Sequence, residues 1–437
     1  MTQPLKIVVI GGGSSYTPEL IEGLISHYDS FPVGQLVLVD IEAGREKLET
    51  VGKLAQRMVA ASGLPMSVEL TMDRRGALPG ADFVTTQMRV GLLEARGWDE
   101  SIPLKYGMIG QETTGAGGML KALRTIPVLL ELCREMEELC PEAWLLNFTN
   151  PAGMVTEAIQ KHSKIRSVGL CNSPIAAYKW LSKLYEVPES SIHCEFVGLN
   201  HLHWISDIRV EGESKLPELL DNRGGYSAAN VPQFAWNGTL LQGLGAIPSY
   251  YLKYFYLHRE TLEEQQAALA KGESRAQTVQ RLEDELFELY KDPNLKEKPK
   301  QLEQRGGAFY SEAAVRLMHS LYNDTGDIQT LNVANNGMLD FLPDDASIEV
   351  NCKVTSQGPI PQRPAVVPEA VKGLIRQVKT YESLAIEAAV TGDRQKALLA
   401  LAHHPLTHSV GAAEQMLDEM LERSKAYLPQ FFAAAQA

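Results

Sequence analysis

The chain has 437 residues, enough for two domains, and its 44% hydrophobic and 22% charged content is that of a globular protein, not of a disordered or fibrous one. Lys and Arg number 41 against 54 Asp and Glu, and the resulting net charge of −13 works against binding a phosphate backbone, so nucleic acid is not an expected partner. No apolar run reaches the ~20 residues of a membrane helix, and the early Leu5–Ile10 run passes into glycines instead of a cleavage site, so no membrane partner and a cytoplasmic location are expected.

The short run Lys6–Ile10 reads as a buried strand. Gly11-Gly12-Gly13-Ser14-Ser15 follows, then Thr17-Pro18 and apolar residues at helical spacing (Leu20, Ile21, Leu24, Ile25), which predicts strand, glycine turn, helix. A second strand, Leu36–Val39, ends at Asp40, and 42–61 alternates charged and apolar residues as a helix does. Further strands are expected at 81–87 and 143–148, with a helix at 127–139 between them carrying Pro127 in its first turn. The alternation continues through Ser167–Cys171 and changes character near residue 195. That places an N-terminal dinucleotide-binding domain over 1–195 and a mixed α/β, helix-rich domain over 196–437. Within the latter, 260–292 reads as two amphipathic helices with solvated outer faces, carrying Val279, Leu282, Leu286 and Leu289 at helical spacing, and the chain after 369 is helical.

A pyrophosphate needs close backbone approach and free N–H groups at a helix N-terminus, which a strand, glycine turn and helix supply. Gly11 and Gly13 occupy the first two glycine positions of such a turn, with Ser14 beside them, but Tyr16 stands at the third. Asp40, at the end of the second strand, is placed to hold a ribose diol and repel a 2′-phosphate, which selects NAD over NADP; a helix-capping role is the alternative. Arg45 in the following helix completes the candidate cofactor contacts.

Two polar stretches, 87–98 and 110–118, follow strand ends, where open α/β sheets bind ligands. Arg89 and Arg96 could grip an anion or form ion pairs. Asn150, before Pro151, could bond a sugar hydroxyl or simply make a turn. Cys171 ends a strand, and His201 and His203 follow about thirty residues later. The five cysteines are odd in number and widely spaced, unlike a disulfide framework, so a ligand role for Cys171 with His201 is open. Thiolate with imidazole alone would favour zinc.

Taken together, Ile10-Gly11-Gly12-Gly13-Ser14 with Thr17-Pro18-Glu19, the run Ile109-Gly110-Gln111-Glu112-Thr113-Thr114-Gly115, Asn150-Pro151, Cys171-Asn172-Ser173-Pro174, Gly198-Leu199-Asn200-His201 and Arg305-Gly306-Gly307-Ala308 resemble family 4 of the glycoside hydrolases, the NAD-dependent 6-phosphoglycosidases. The resemblance implies a Rossmann domain like that of lactate and malate dehydrogenases followed by a mixed α/β domain. It also implies that Cys171 and His201 ligate a divalent metal, usually Mn²⁺, in place of zinc. Asn172 matches the 6-phospho-β-glucosidase subgroup, Arg305 the 6-phosphate position, and Arg96 and Asn150 positions that contact sugar or cofactor.

The base implied by the resemblance is a tyrosine in Ile247-Pro248-Ser249-Tyr250-Tyr251-Leu252. The family pattern favours Tyr251, before Leu252, over Tyr250. The implied substrate is a phosphorylated disaccharide or aryl glucoside. Its cleavage would run through oxidation at C3, proton removal at C2, elimination, water addition and re-reduction, without the usual pair of carboxylic acids. A homodimer or homotetramer is the assembly the family suggests. A 2-hydroxy-acid dehydrogenase, with His201 as acid/base and Arg96 as carboxylate clamp, is the rival enzyme, and a non-catalytic NAD-responsive regulator the rival from another class.

Overall fold

The computed structural model describes residues 4–221, 225–226, 234–305 and 309–432, without the side chains of 304, 305, 310 and 311. The run Ile7-Val8-Val9-Ile10 falls in β1 (Leu5–Ile10), whose last four residues are all buried, as a central strand of a parallel sheet requires. Strand and helix then alternate through β2 (Val33–Val39), β3 (Ser67–Thr71), β4 (Phe83–Thr86), β5 (Trp144–Asn147) and β6 (Ser167–Gly169). These pair in parallel in the order β3-β2-β1-β4-β5-β6. The order reverses at β1, so the crevice beyond the carboxyl ends of β1 and β4 is where a ligand sits in such a sheet.

β7 (Ile192–Leu199) and β8 (Leu202–Val210) form an antiparallel hairpin, and β8 also pairs with the short β9 (Glu213–Ser214) and β10 (Ile247–Pro248). The chain later returns to the first sheet: β11 (Ile328–Ala334) lies antiparallel beside β6, and β12 (Ser347–Thr355) and β13 (Gly358–Pro361) follow at the edge. The first sheet thus has nine strands among the described residues and draws on both halves of the chain.

The helix expected at 127–139 begins twelve residues earlier and runs Gly115–Leu139, with Pro127 in its interior. Gly115, Gly117 and Gly118, which in the sequence suggest a backbone coming close to something, fall in its first turn; Gly115 has φ +61°, and close packing sets the identity of the other two. A Cβ on Gly117 would stand 2.2 Å from the Asp99 carbonyl oxygen, and one on Gly118 2.6 Å from the Thr113 carbonyl carbon. The partner in that close approach is a helix over Leu92–Lys105, which carries Arg96, Asp99 and Glu100 buried.

The two helices are joined by Arg124, which grips Asp99 with both guanidinium nitrogens at 2.7 and 3.0 Å; both side chains are fully buried. Burial pushes the Asp99 carboxyl upward, against the pull of Arg124. Arg124→Met, which strands the carboxylate, is expected to cost about 3–5 kcal/mol of unfolding free energy, read from the urea midpoint at constant slope.

Helices His258–Ala270 and Arg275–Tyr290 occupy the predicted amphipathic stretch. The second is docked on the N-terminal half. Tyr290 donates to the Ser15 carbonyl at 2.8 Å, Lys47 pairs with Glu283, and the Glu100 carboxylate accepts the Ala276 N–H at 2.7 Å. Helices Glu369–Thr391, Arg394–His403 and Val410–Arg423 complete the C-terminal region, and no helix of the described residues is long and apolar enough to cross a membrane.

Candidate active site

The glycine turn is built by the strand beside it. Gly11 and Gly12 both donate to the Val39 carbonyl, at 2.9 and 2.8 Å, and Gly11 has φ +87°, open to glycine at no steric cost. A Cβ on Gly12 would lie 2.7 Å from that of Leu38, and one on Gly13 2.7 Å from Asp40 Oδ2. Asp40 itself braces the turn: its Oδ2 accepts the Gly13 N–H and its Oδ1 the Ile41 N–H, each at 2.8 Å. Helix Thr17–Ser26 starts immediately after, with Pro18 in its first turn and Tyr16 at the cap where a third glycine was missing. Thr17 Oγ1 donates to the Gly12 carbonyl at 2.8 Å and anchors the turn to the helix.

From this turn a single cleft of about 1040 Å³ extends along the sheet's carboxyl edge. Its lining includes Gly11, Gly13, Ser14, Asp40, Arg89, Arg96, Asn150, Cys171, Asn172, His201 and Tyr251, so most of the residues singled out in the sequence meet in one space. Arg45 is not among them: it pairs with Glu42 at 2.7 Å and with Glu49 at 3.8 Å on the surface. The side chain of Arg305 and residues 306–308 lie outside the described residues.

Arg89 and Arg96 form ion pairs within the cleft wall. Glu112, from the 110–118 stretch, is shared by Arg89, by Arg96 at 3.1 Å and by Lys121 at 2.8 Å, while Arg96 also reaches Glu100 at 2.7 Å. Burial alone would raise the Glu112 carboxyl, but the three cations hold it well below the usual carboxylate range. Lys121 is pushed down to about 8 by burial and by Arg89. Within this cluster three cations share two carboxylates. Glu112 and Lys121 had no assigned role in the sequence reading; the signal available for Glu112 was a carboxylate inside a glycine- and threonine-rich stretch, which follows helix Leu92–Lys105 and not, as expected, a strand end.

Cys171 follows the end of β6, and its sulfur accepts the Ser173 N–H at 3.4 Å. Burial, reinforced by the nearby Glu349 carboxylate, raises its thiol well above the ordinary range. His201 sits in the turn between β7 and β8 in a left-handed conformation, φ +61°. Its Nδ1 meets Thr113 Oγ1 at 2.9 Å, and Nε2 carries no hydrogen bond among the described residues. Burial lowers the imidazole to about 4, so the ring is neutral near pH 7.

Tyr250 and Tyr251 are separated by their surroundings. β10 pairs with Trp204 and Ile205, and the Ser249 N–H donates to the His203 carbonyl at 3.0 Å, which ties the tyrosine turn to the hairpin that carries His201. Tyr251 lines the cleft and stacks on His201, ring centroids 3.8 Å apart and planes 16° from parallel. Tyr250 is absent from the cleft lining and packs edge-on against Tyr226 at 5.4 Å. Burial, then Tyr251 and Cys171, hold the Tyr250 phenol well above its ordinary value.

Comparison with known proteins gives this cleft its relatives. The B. subtilis (strain 168) protein named "Probable 6-phospho-beta-glucosidase" is 52% identical, with the whole of both chains covered. The 6-phospho-beta-glucosidase of Escherichia coli (strain K12) is 45% identical over 99% of this chain and 98% of that one. A solved structure of the 6-phospho-beta-glucosidase from Thermotoga maritima with manganese, NAD⁺ and glucose 6-phosphate superposes with a TM-score of 0.87 at 33% identity, over 97% of this chain and 99% of that one. The fold alone is shared with lactate dehydrogenase from Eimeria maxima, TM-score 0.54 at 14% identity over 90% and 97% of the two chains. Residues 6–187 match the model of the family 4 glycosyl hydrolases and residues 196–407 that of their C-terminal domain, and together with the near-complete coverage of these relatives the match makes this chain a member of glycosyl hydrolase family 4.

Proposed function

We propose that the chain hydrolyses 6-phospho-β-glucosides to glucose 6-phosphate and the aglycone, with NAD⁺ and a divalent cation, Mn²⁺ or a like ion, as cofactors. One observation carries the reading: the dinucleotide turn at Gly11–Ser14 and the Cys171, His201 and Tyr251 side chains open into the same cleft. Residues 1–195 form the NAD-binding part and 196–437 supply the remainder of the substrate and metal site. The substrate is a phosphorylated disaccharide or aryl glucoside, with Arg305 as a phosphate contact and Arg89, Arg96, Asn150 and Asn172 around the sugar. The enzyme works in the cytoplasm as a homodimer or homotetramer.

The residues present suit both cofactors. The glycines pack so tightly on Gln87, Leu38 and Asp40 that no side chain fits at the turn, and helix Thr17–Ser26 presents its N-terminus beside it, as a pyrophosphate site requires. For the cation, His201 offers a neutral ring with Nδ1 engaged by Thr113, leaving Nε2 as the ligating nitrogen, and Cys171 offers sulfur. The described residues hold no group of three or more His, Cys, Asp or Glu side chains that could hold a metal, so a two-ligand site stays open to substrate hydroxyls. When bound, NAD⁺ accepts and returns a hydride at C3 and the cation polarises the C2 and C3 oxygens.

Tyr251 takes the C2 proton from its place against His201, and loss of the aglycone from C1 completes an elimination that water then reverses. Asp40 fixes the turn over which the dinucleotide lies. Asp40→Ala removes a charged hydrogen bond to the turn, and weaker NAD⁺ binding by about tenfold or more is expected in a fluorescence titration. The activity is tested with an aryl 6-phospho-β-glucoside carrying deuterium at C2, in the presence of NAD⁺ and Mn²⁺. Release of the aglycone with loss of the label to solvent and no net NADH at 340 nm is expected. NADH accumulating in proportion to turnover would point to a 2-hydroxy-acid dehydrogenase instead.

A further inference from the structure

We infer that Glu349 is a positioning residue for the metal site, a buried carboxylate that holds the β7–β8 turn in the shape that presents His201. This rests on the reading of Cys171 and His201 as cation ligands. Glu349 stands in β12, fully buried, one strand beyond β11. It bonds on either side of His201. Its Oε1 accepts from Asn200 Nδ2 at 3.0 Å, and its Oε2 contacts His203 Nδ1. A third donor, Asn332 Nδ2 on β11, reaches Oε1 at 3.1 Å and fixes the carboxylate to the first sheet.

The turn needs such a restraint. His201 has φ +61°, a left-handed conformation uncommon outside glycine, though one that histidine adopts more readily than most side chains, and contacts on either side of it add to what holds the turn in that shape. Asn200 and His203 are those contacts, and Glu349 is the group they share. The same carboxylate reaches further through His203, whose Nε2 meets Tyr226 Oη at 2.9 Å; Tyr226 packs against Tyr250, next to Tyr251. One acidic residue thus couples the sheet, the histidine turn and the tyrosine turn.

No step already described uses Glu349. Supporting groups behind metal ligands usually change metal affinity by about 10–100-fold when removed. The experiment titrates Mn²⁺ into the NAD⁺-loaded full chain with glucose 6-phosphate present and follows free Mn²⁺ by electron paramagnetic resonance. NAD⁺ affinity is measured in parallel by fluorescence. Glu349→Gln is expected to weaken Mn²⁺ by at least tenfold while NAD⁺ affinity stays within twofold. Asn332→Ala, which leaves the carboxylate the Asn200 and His203 contacts, is expected to weaken Mn²⁺ to a lesser degree, and it decides the matter where Glu349→Gln does not fold. Wild-type Mn²⁺ affinity in either NAD⁺-binding variant overturns the inference. Failure of the wild-type chain to bind Mn²⁺ would overturn the reading of Cys171 and His201 beneath it.

Discussion

Tyr251→Phe is expected to lower kcat by about 10²–10⁴-fold, the usual loss when a positioned proton acceptor is removed, with KM little changed. The ring remains to stack on His201 at 3.8 Å and to fill its place in the cleft wall, so only the phenolic oxygen is lost. The C2 deuterium of the substrate should then be retained in unreacted material. Tyr250→Phe is the matched control. Its hydroxyl lies among buried groups that keep it protonated, and the residue is absent from the cleft lining, so its loss should cost stability before it costs rate. A larger fall in kcat for Tyr250→Phe than for Tyr251→Phe would reverse the assignment.

The second large effect is expected at the ligand pair. Cys171→Ala and His201→Ala each remove one of the two protein donors assigned to the cation, and activity should fall by about 10³-fold or more, since Lewis-acid stabilisation of developing charge is worth several kcal/mol. The double variant should be no worse than either single one, because the residues act as a unit. Dialysis of the wild-type chain against a chelator should reproduce the loss and added Mn²⁺ should restore it, whereas neither treatment should alter the variants. NAD⁺ binding, read separately, should survive in all of them, since the glycine turn and Asp40 belong to a different part of the cleft lining. Full activity of the chelated, dialysed wild type would remove the metal from the account.

The parts of this molecule legible in the sequence are those where local rules and tertiary structure agree. The β-branched run before Gly11, the tight turn and the acid at the end of β2 each follow from one short segment, and the cleft gathers Cys171 and His201 from polar, glycine-marked turns together with Tyr251, which only the family resemblance singled out. Helix Leu92–Lys105 was illegible because it buries Arg96, Asp99 and Glu100 against partners elsewhere and so shows no apolar stripe. The first turns of Gly115–Leu139 were hidden for the opposite reason. Their glycines point to a close backbone approach, which Gly117 and Gly118 make, but glycine is a poor helix former, so the helix itself was not foreseen.

In helix Arg275–Tyr290 the expected stripe is rotated. Val279 and Leu286 are buried, but Phe287 and Tyr290 join them while Leu289 is exposed, since the helix packs on the N-terminal half. Glu349 left a faint trace: a carboxylate between Ile348 and Val350 in a strand buried on both faces demands a partner, though nothing local says which.

The docking of Arg275–Tyr290 bears on the fate of the coenzyme. Arg275, Gln277 and Glu283 share a wall with Gly11–Ser14, and Tyr290 is fastened to Ser15. An oxidoreductase must swap its nicotinamide every cycle and gains from an open door. A catalyst that regenerates its own oxidant within each turnover has no such traffic, and a helix bolted beside the glycine turn would cost it nothing in speed while hindering escape of the one molecule it has to keep.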